Sequence, residues 1–176
     1  NWCRFGLLAL RDGTWAGDVQ SSARTGRWKS IFAEHMAIVL KAEGATRWTR
    51  YDVVGWGSPV RRDAFAADAL WYGNRPDVVA SFRNDDAAAL IPRIEQSIAR
   101  YPNRAHGSYT VWPGPNSNSF VAWVVRHTDG FAMELPAAAV GKDYLDGGMA
   151  YGPAASGTGF VVSAWVRSPR VGAEVP

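Results

Sequence analysis

The sequence predicts an α+β domain, a mostly antiparallel central sheet with two or three helices packed on it. Three observations predict it. Residues Ile31–Leu40 are apolar on both strand faces, a turn signal at Glu43-Gly44 leads into a second β-rich run, and two segments repeat apolar residues at helical spacing. A length of 176 residues suits one hydrophobic core. The division expected is an extended lead-in or anchor remnant over residues 1–29 and a single domain over 30–176. The latter ends without a clear stop, as a C-terminal truncation would.

The lead-in is rich in Gly, Ser, Thr and charge between residues 12 and 29. Before it, Phe5-Gly6-Leu7-Leu8-Ala9-Leu10 lies between Arg4 and Arg11 and reads as the stump of a longer apolar segment, the one route by which this chain would meet a membrane. In the first strand Phe32, Met36, Ile38 and Leu40 share one face, and Ala33, Ala37 and Val39 the other. Such two-sided burial marks a central strand. His35 interrupts the small-residue face and Glu34 the large one. A two-residue turn at Glu43-Gly44 sets His35 opposite Asp52 on the next strand, Thr46–Val54. Gly55–Arg75 reads as loop, with Pro59 and the cluster Trp71-Tyr72-Gly73-Asn74.

Asn84-Asp85-Asp86 supplies a capping side chain and carboxylates for a helix start. Leu90, Ile91, Ile94, Ile98 and Tyr101 follow at helical spacing up to Pro102, with Pro92 expected to kink or split the helix. Ser108–Trp112 reads as a short strand. The run Trp112-Pro113-Gly114-Pro115-Asn116-Ser117-Asn118-Ser119-Phe120 then makes a rigid turn into a helix carrying Val121, Val124 and Val125, which sets Ser117 at or beside a helix N-terminus. Phe131–Leu135 and Thr158–Val166 read as further strands.

Apolar residues make up 47% and charged residues 20% of the chain, a globular composition. The net charge is +3, but nineteen basic residues are interspersed with sixteen acidic ones, so no nucleic-acid partner is expected. Arg47, Trp48, Arg50 and Tyr51 mix cations with aromatics, yet a strand divides them between two faces. Nine tryptophans are scattered without a repeat. The single Cys3 has no partner for a disulfide, and His35, His106 and His127 lack zinc spacing, so neither metal nor cofactor is expected. Gly141-Lys142-Asp143-Tyr144 and Ser156-Gly157-Thr158-Gly159 match no phosphate-binding pattern.

One constellation carries chemistry. A hydroxyl at a helix N-terminus gains anion stabilisation from the dipole and the N–H groups there, a strand histidine can take its proton, and a carboxylate can orient the ring. Ser117, His35 and Asp52 supply these parts, with Asn116 and Asn118 beside the nucleophile as oxyanion or substrate-binding groups. The same residues have a purely structural reading, as a core histidine and a set of caps and Asx turns. His106 and His127 read as solvated surface.

Five blocks together resemble the bacterial domain-of-unknown-function family thirty-seven-fifty over roughly residues 30 to 165. They are Trp112–Phe120, Trp71-Tyr72-Gly73-Asn74-Arg75-Pro76, Leu90-Ile91-Pro92-Arg93-Ile94-Glu95, Gly141–Tyr144 and Ser156–Gly159. The resemblance implies an exported or inner-membrane-anchored protein of Gram-negative bacteria, located in the cell envelope as an inner-membrane-anchored or a periplasmic protein. Asn116-Ser117-Asn118-Ser119-Phe120 is also similar to the Asn-Cys-Asn-x-Phe signature of permuted papain-like peptidases and NlpC-type cell-wall amidases, in which a strand histidine precedes the nucleophile. That similarity implies a permuted papain-like (NlpC-type) scaffold for an amide or ester hydrolase or an acyltransferase. Ser117 stands where that superfamily carries cysteine. Either the nucleophile has been exchanged, or the domain is a catalytically inactive envelope module whose cleft binds a peptide, glycan or lipid.

Overall fold

In a computed structural model the chain is described over residues 5–11, 34–71, 75–146 and 149–164. Expectations for Cys3, for residues 12–29, for Ile31–Ala33, for the tip Tyr72-Gly73-Asn74 and for the C-terminal end from Trp165 lie outside the described residues. The elements are β1 (Phe5–Arg11), β2 (His35–Lys41), β3 (Thr49–Val53), β4 (Val60–Arg62), β5 (Asp77–Arg83), α1 (Asn84–Arg100), α2 (Ser117–Arg126), β6 (Met149–Pro153) and β7 (Phe160–Ala164). The fold is α+β.

A five-stranded sheet has the order β4-β3-β2-β1-β5, and β6-β7 form a separate hairpin. The pairings β2–β3, β3–β4 and β6–β7 are antiparallel, as expected, but β1 runs parallel to both of its neighbours, so the central sheet is mixed. The apolar run Phe5–Arg11, expected as a lead-in, is therefore a strand within the sheet. Two flanking strands satisfy its backbone groups.

Both helices lie on one face of the sheet, α2 over β2 and β3 and α1 over β1 and β5. Met36, Ile38 and Leu40 of β2 and Tyr51 and Val53 of β3 join Ile94, Ile98, Phe120, Val121 and Val124 in one buried core. Ala37 and Val39 face the other way, against Trp48, Ala67 and Trp71. The expected two-sided burial of β2 is thus present, with helices on one side and the β4–β5 connection on the other.

The β2–β3 ladder pairs Ile38 with Tyr51, Val39 with Arg50 and Leu40 with Thr49, two residues away from the expected register. The turn itself forms where expected, Ala45 N–H donating to Ala42 C=O at 3.1 Å, but bends at Thr46 and Arg47 delay the ladder. A slip of two residues keeps every side chain on its face, whereas a slip of one reverses it. Asp52 consequently stays on the His35 side.

Three other expectations differ. Ser108–Trp112 is not a strand. It belongs to a tight turn in which Thr110 N–H donates to Pro115 C=O at 2.8 Å and the peptide bonds before Pro113 and Pro115 are cis. Phe131–Leu135 has the alternating burial of a strand, with Phe131, Met133 and Leu135 inside, but among the described residues it forms no ladder: Met133 N–H donates to Ala155 C=O at 3.1 Å and Phe131 N–H turns back to Thr128 C=O at 3.0 Å. Helix α1 is neither split nor capped by a side chain. Arg83 at its N-cap makes no side-chain bond, and Asn84 takes a left-handed φ of 54°, which asparagine tolerates better than most residues. Pro92 sits on the exposed side, and the carbonyl it deprives of a donor, that of exposed Ala88, faces water. Pro92→Ala should therefore raise stability by about 1–3 kcal/mol in urea unfolding, because it restores a helical bond without disturbing the core. A loss of stability would contradict this placement.

Candidate functional site

The site begins with a buried cation. Arg50 and Asp52 are each 0% exposed. They alternate with Tyr51 on β3 and so project together onto the face that carries the His35 side chain. The guanidinium grips the carboxylate with two bonds, Nε to Oδ2 at 2.8 Å and Nη2 to Oδ1 at 2.9 Å, and Nη1 donates to Ala66 C=O at 3.0 Å. Phe65 lies under the guanidinium carbon at 5.7 Å. Of the cation–aromatic cluster noted in the sequence, Arg50 is thus spent inside the protein.

His35 opens β2 and points Nε2 at Asp52 Oδ1, 3.2 Å away. Trp71 stacks on the imidazole with centroids 3.9 Å apart and planes 11° from parallel, and Phe65 meets Trp71 edge-on at 5.5 Å. Burial lowers the pKa of His35 below 6.5, the Asp52 hydrogen bond and charge recovering only part of the loss. For Asp52, burial acts upward, but the hydrogen bonds from His35 and Arg50 and the Arg50 charge together outweigh it and hold the carboxyl below its usual range. The resulting species are a carboxylate and a neutral imidazole. A carboxylate only accepts, so Nε2 carries the ring proton and Nδ1 the lone pair.

The second half of the site is the start of α2. Asn116 is its N-cap and accepts from Asn118 N–H at 2.9 Å and Ser119 N–H at 3.0 Å, while Ser119 Oγ accepts from Asn116 N–H, a reciprocal capping box. The Asn116 amide donates to Val111 C=O at 2.8 Å and Val140 C=O at 3.0 Å. Asn118 accepts from Met36 N–H at 3.2 Å and donates to Glu34 C=O at 2.8 Å and Val140 C=O at 2.9 Å. The two asparagines, expected as oxyanion or substrate-binding groups, are buried with their amide donors engaged by backbone. Their hydrogen bonds fix the chain on either side of Ser117. Backbone contact is so close there that a Cβ on Gly141, at φ +94°, would lie 2.4 Å from Asn116 Nδ2.

Asn118 clasps Glu34 and Met36, the two chain neighbours of His35, so the tip of α2 is pinned at the beginning of β2. The body of the helix packs on the Met36 face, whereas the imidazole lies on the Ala37 face, and only the helix tip reaches the end of the sheet. Ser117, the first residue of α2, is 3% exposed, and its hydroxyl makes no hydrogen bond among the described residues. With Asn118 N–H engaged by the cap, the donor remaining beside that hydroxyl at the helix start is Ser117 N–H.

His106 and His127 are exposed, and His127 ends α2 stacked on Trp123 at 4.0 Å. Among the described residues no three His, Cys, Asp or Glu side chains converge as a metal site, and no helix is long and apolar enough to cross a membrane. Sequence reading missed Arg50 as the partner of Asp52 and Trp71 as the ring stacked on His35. Arg50 had a usable signal, since it alternates with Asp52 on the same strand.

Two outcomes test this geometry. Nitrogen-15 NMR should find His35 protonated at Nε2 and unprotonated at Nδ1 at pH 7, titrating below pH 6.5; the opposite tautomer would contradict the Asp52 assignment. The unfolded chain takes up a proton near pH 6.5 that folded His35 resists, so its contribution to stability is complete above that pH and declines as the pH falls below it. His35→Gln should flatten this slope in denaturant titrations.

The family described as "Protein of unknown function (DUF3750)" matches residues 18–144. The match spans Arg50, Asp52, His35, Trp71 and the whole Trp112–Phe120 turn, and it ends before Ser156-Gly157-Thr158-Gly159. No curated protein and no solved structure matches the chain. With well over half of its length matched, the chain belongs to this family of unknown function.

Proposed function

We propose that the chain carries a serine-type acyl-transfer site in a permuted papain-like arrangement, acting on an amide or ester. Ser117 Oγ attacks the carbonyl carbon while its proton passes to Nδ1 of His35, and Asp52 holds the ring through Nε2. The bond to the leaving amine or alcohol breaks as His35 returns the proton to it. Water or a second acceptor, activated by the same imidazole, then releases the acyl group from Ser117. The Ser117 N–H and the positive end of α2 stabilise the oxyanion. The observation that carries this reading is the Arg50-held carboxylate on Nε2, which leaves the lone pair of His35 on the other nitrogen, as a general base requires. Trp71, stacked on the imidazole, keeps water from one face of it.

The setting proposed is the bacterial cell envelope, with a peptide, glycan or lipid as the acyl-bearing partner. It rests on the similarity of Asn116–Phe120 to the signature of cell-wall amidases. A second reading, an inactive envelope module that binds such a ligand without cleaving it, is favoured by the absence of a hydrogen bond between Ser117 and the imidazole. Serine also depends on its base more heavily than the cysteine it replaces.

A fluorophosphonate probe should label Ser117, and His35→Ala should slow labelling by at least about 100-fold. Unlabelled protein would favour the binding module. Independently of any substrate, Ser117→Cys in a Cys3→Ser background should give a thiol that alkylates with an apparent pKa clearly below the ordinary value of about 8.5, returning toward it in His35→Gln. A thiol with ordinary or raised pKa would separate residue 117 from the imidazole and end the catalytic reading.

A further inference from the structure

Behind α2, on the side away from β2, a cavity of about 320 Å³ opens between the helix, the segment after α1 and strand β6. Its walls include Tyr101, Trp123, Arg126, His127, Tyr144 and Tyr151. We propose that this cavity is a binding site for a small organic carboxylate with a flat or apolar body.

Two buried donors argue for an acceptor. Arg126 Nε has no hydrogen-bond partner among the described residues, although Nη2 of the same side chain donates to Lys142 C=O. The hydroxyl of Tyr101, a residue only 2% exposed, has no acceptor for its proton among the described residues; the Asn103 amide, which donates to the Asp146 carboxylate at 3.3 Å, approaches the phenol oxygen as a donor. Both line the cavity on either side of Trp123. Tyr101 meets the Trp123 ring edge-on at 5.5 Å, and Arg126 follows Trp123 by one helical turn. A buried donor left unmet costs about 1–3 kcal/mol, more if charged, and a guanidinium can be met only by an acceptor. Asp143, the carboxylate whose charge acts on Arg126, is itself held by Lys142 Nζ at 2.9 Å. Burial depresses the Arg126 pKa, with Asp143 opposing only in part, as for a cation short of a counter-charge.

The remaining walls define the body and the charge. Trp123 and His127 form a stacked pair, and Tyr144 and Tyr151 add ring surface. Asp146 also lines the cavity, which disfavours a dianion such as phosphate relative to a monoanion. The volume lies at the lower end of ligand pockets, roughly 300–1,000 Å³, and suits a small molecule rather than a polymer chain.

Benzoate is the probe, with benzamide and inorganic phosphate as controls, followed by calorimetry and ligand-observed NMR on the full chain. Benzoate should bind saturably and in preference to both controls, and Tyr101→Phe and Arg126→Gln should each weaken it by about tenfold. Tyr101→Phe without ligand should be as stable as the parent or more so, because it deletes an unmet hydroxyl, so it decides the matter if Arg126→Gln fails to fold. Equal binding of benzamide, preference for phosphate, indifference to Tyr101→Phe, or no saturable binding by folded protein would each overturn the proposal.

Discussion

The paired charges of Arg50 and Asp52 govern what the rest of the site can be. Two ions without solvent exposure are tolerated only because each oxygen and most of the guanidinium donors are met, by one another, by His35 and by Ala66 C=O. The arrangement gives little net stability, since a buried ion pair merely offsets its own desolvation, but removing either partner strands the other at a cost of about 3–5 kcal/mol. What it provides is definition. The carboxylate stays ionised, the imidazole stays neutral, and the ring proton has one place to be. Trp71 and Phe65 complete the enclosure with ring surface.

A second constraint acts on the backbone. Asn116 and Asn118 both donate to Val140 C=O, and Asn118 also bridges Glu34, just before β2, and Met36 within it. Three stretches distant in sequence thereby meet at one peptide group: the lead of β2, the tip of α2 and the segment ending at Gly141. The Gly141-Lys142-Asp143-Tyr144 block finds its physical reason here. Gly141 permits the close approach to Asn116, and Tyr144 packs so tightly on Gly114 that a Cβ there would lie 2.9 Å from its ring. These blocks are spaced along the chain because they form one joint.

Much of this was legible from residue order, and the failures have specific causes. Apolar periodicity found β2, α1 and α2 because each buries a face whose pattern is local. The His35–Asp52 contact survived an incorrect register because the two extra loop residues preserved strand parity. Phe131–Leu135 misled, since alternating burial reports an extended chain against a core and says nothing about whether a partner strand is present. The three-residue β4 was too short for any periodicity, and β1 was masked by its flanking arginines, which suggested a membrane stump. Ser117 was placed correctly at the head of α2 because capping is a local property. The fates of Asn116 and Asn118 depended on carbonyls more than twenty residues away and could not be read from their neighbours.

Strand β1 has a wider implication. Among the described residues it alone bridges the β2–β3–β4 layer and β5, it is held by parallel pairings on both sides, and it precedes residue 18, where the family match begins. A chain trimmed to the matched span would keep its helices and its ion pair but would open a slot one strand wide, with unsatisfied amides and carbonyls along both banks. Such a slot invites an extended segment from another molecule, so self-association of a shortened chain would report on the missing strand and not on any native assembly.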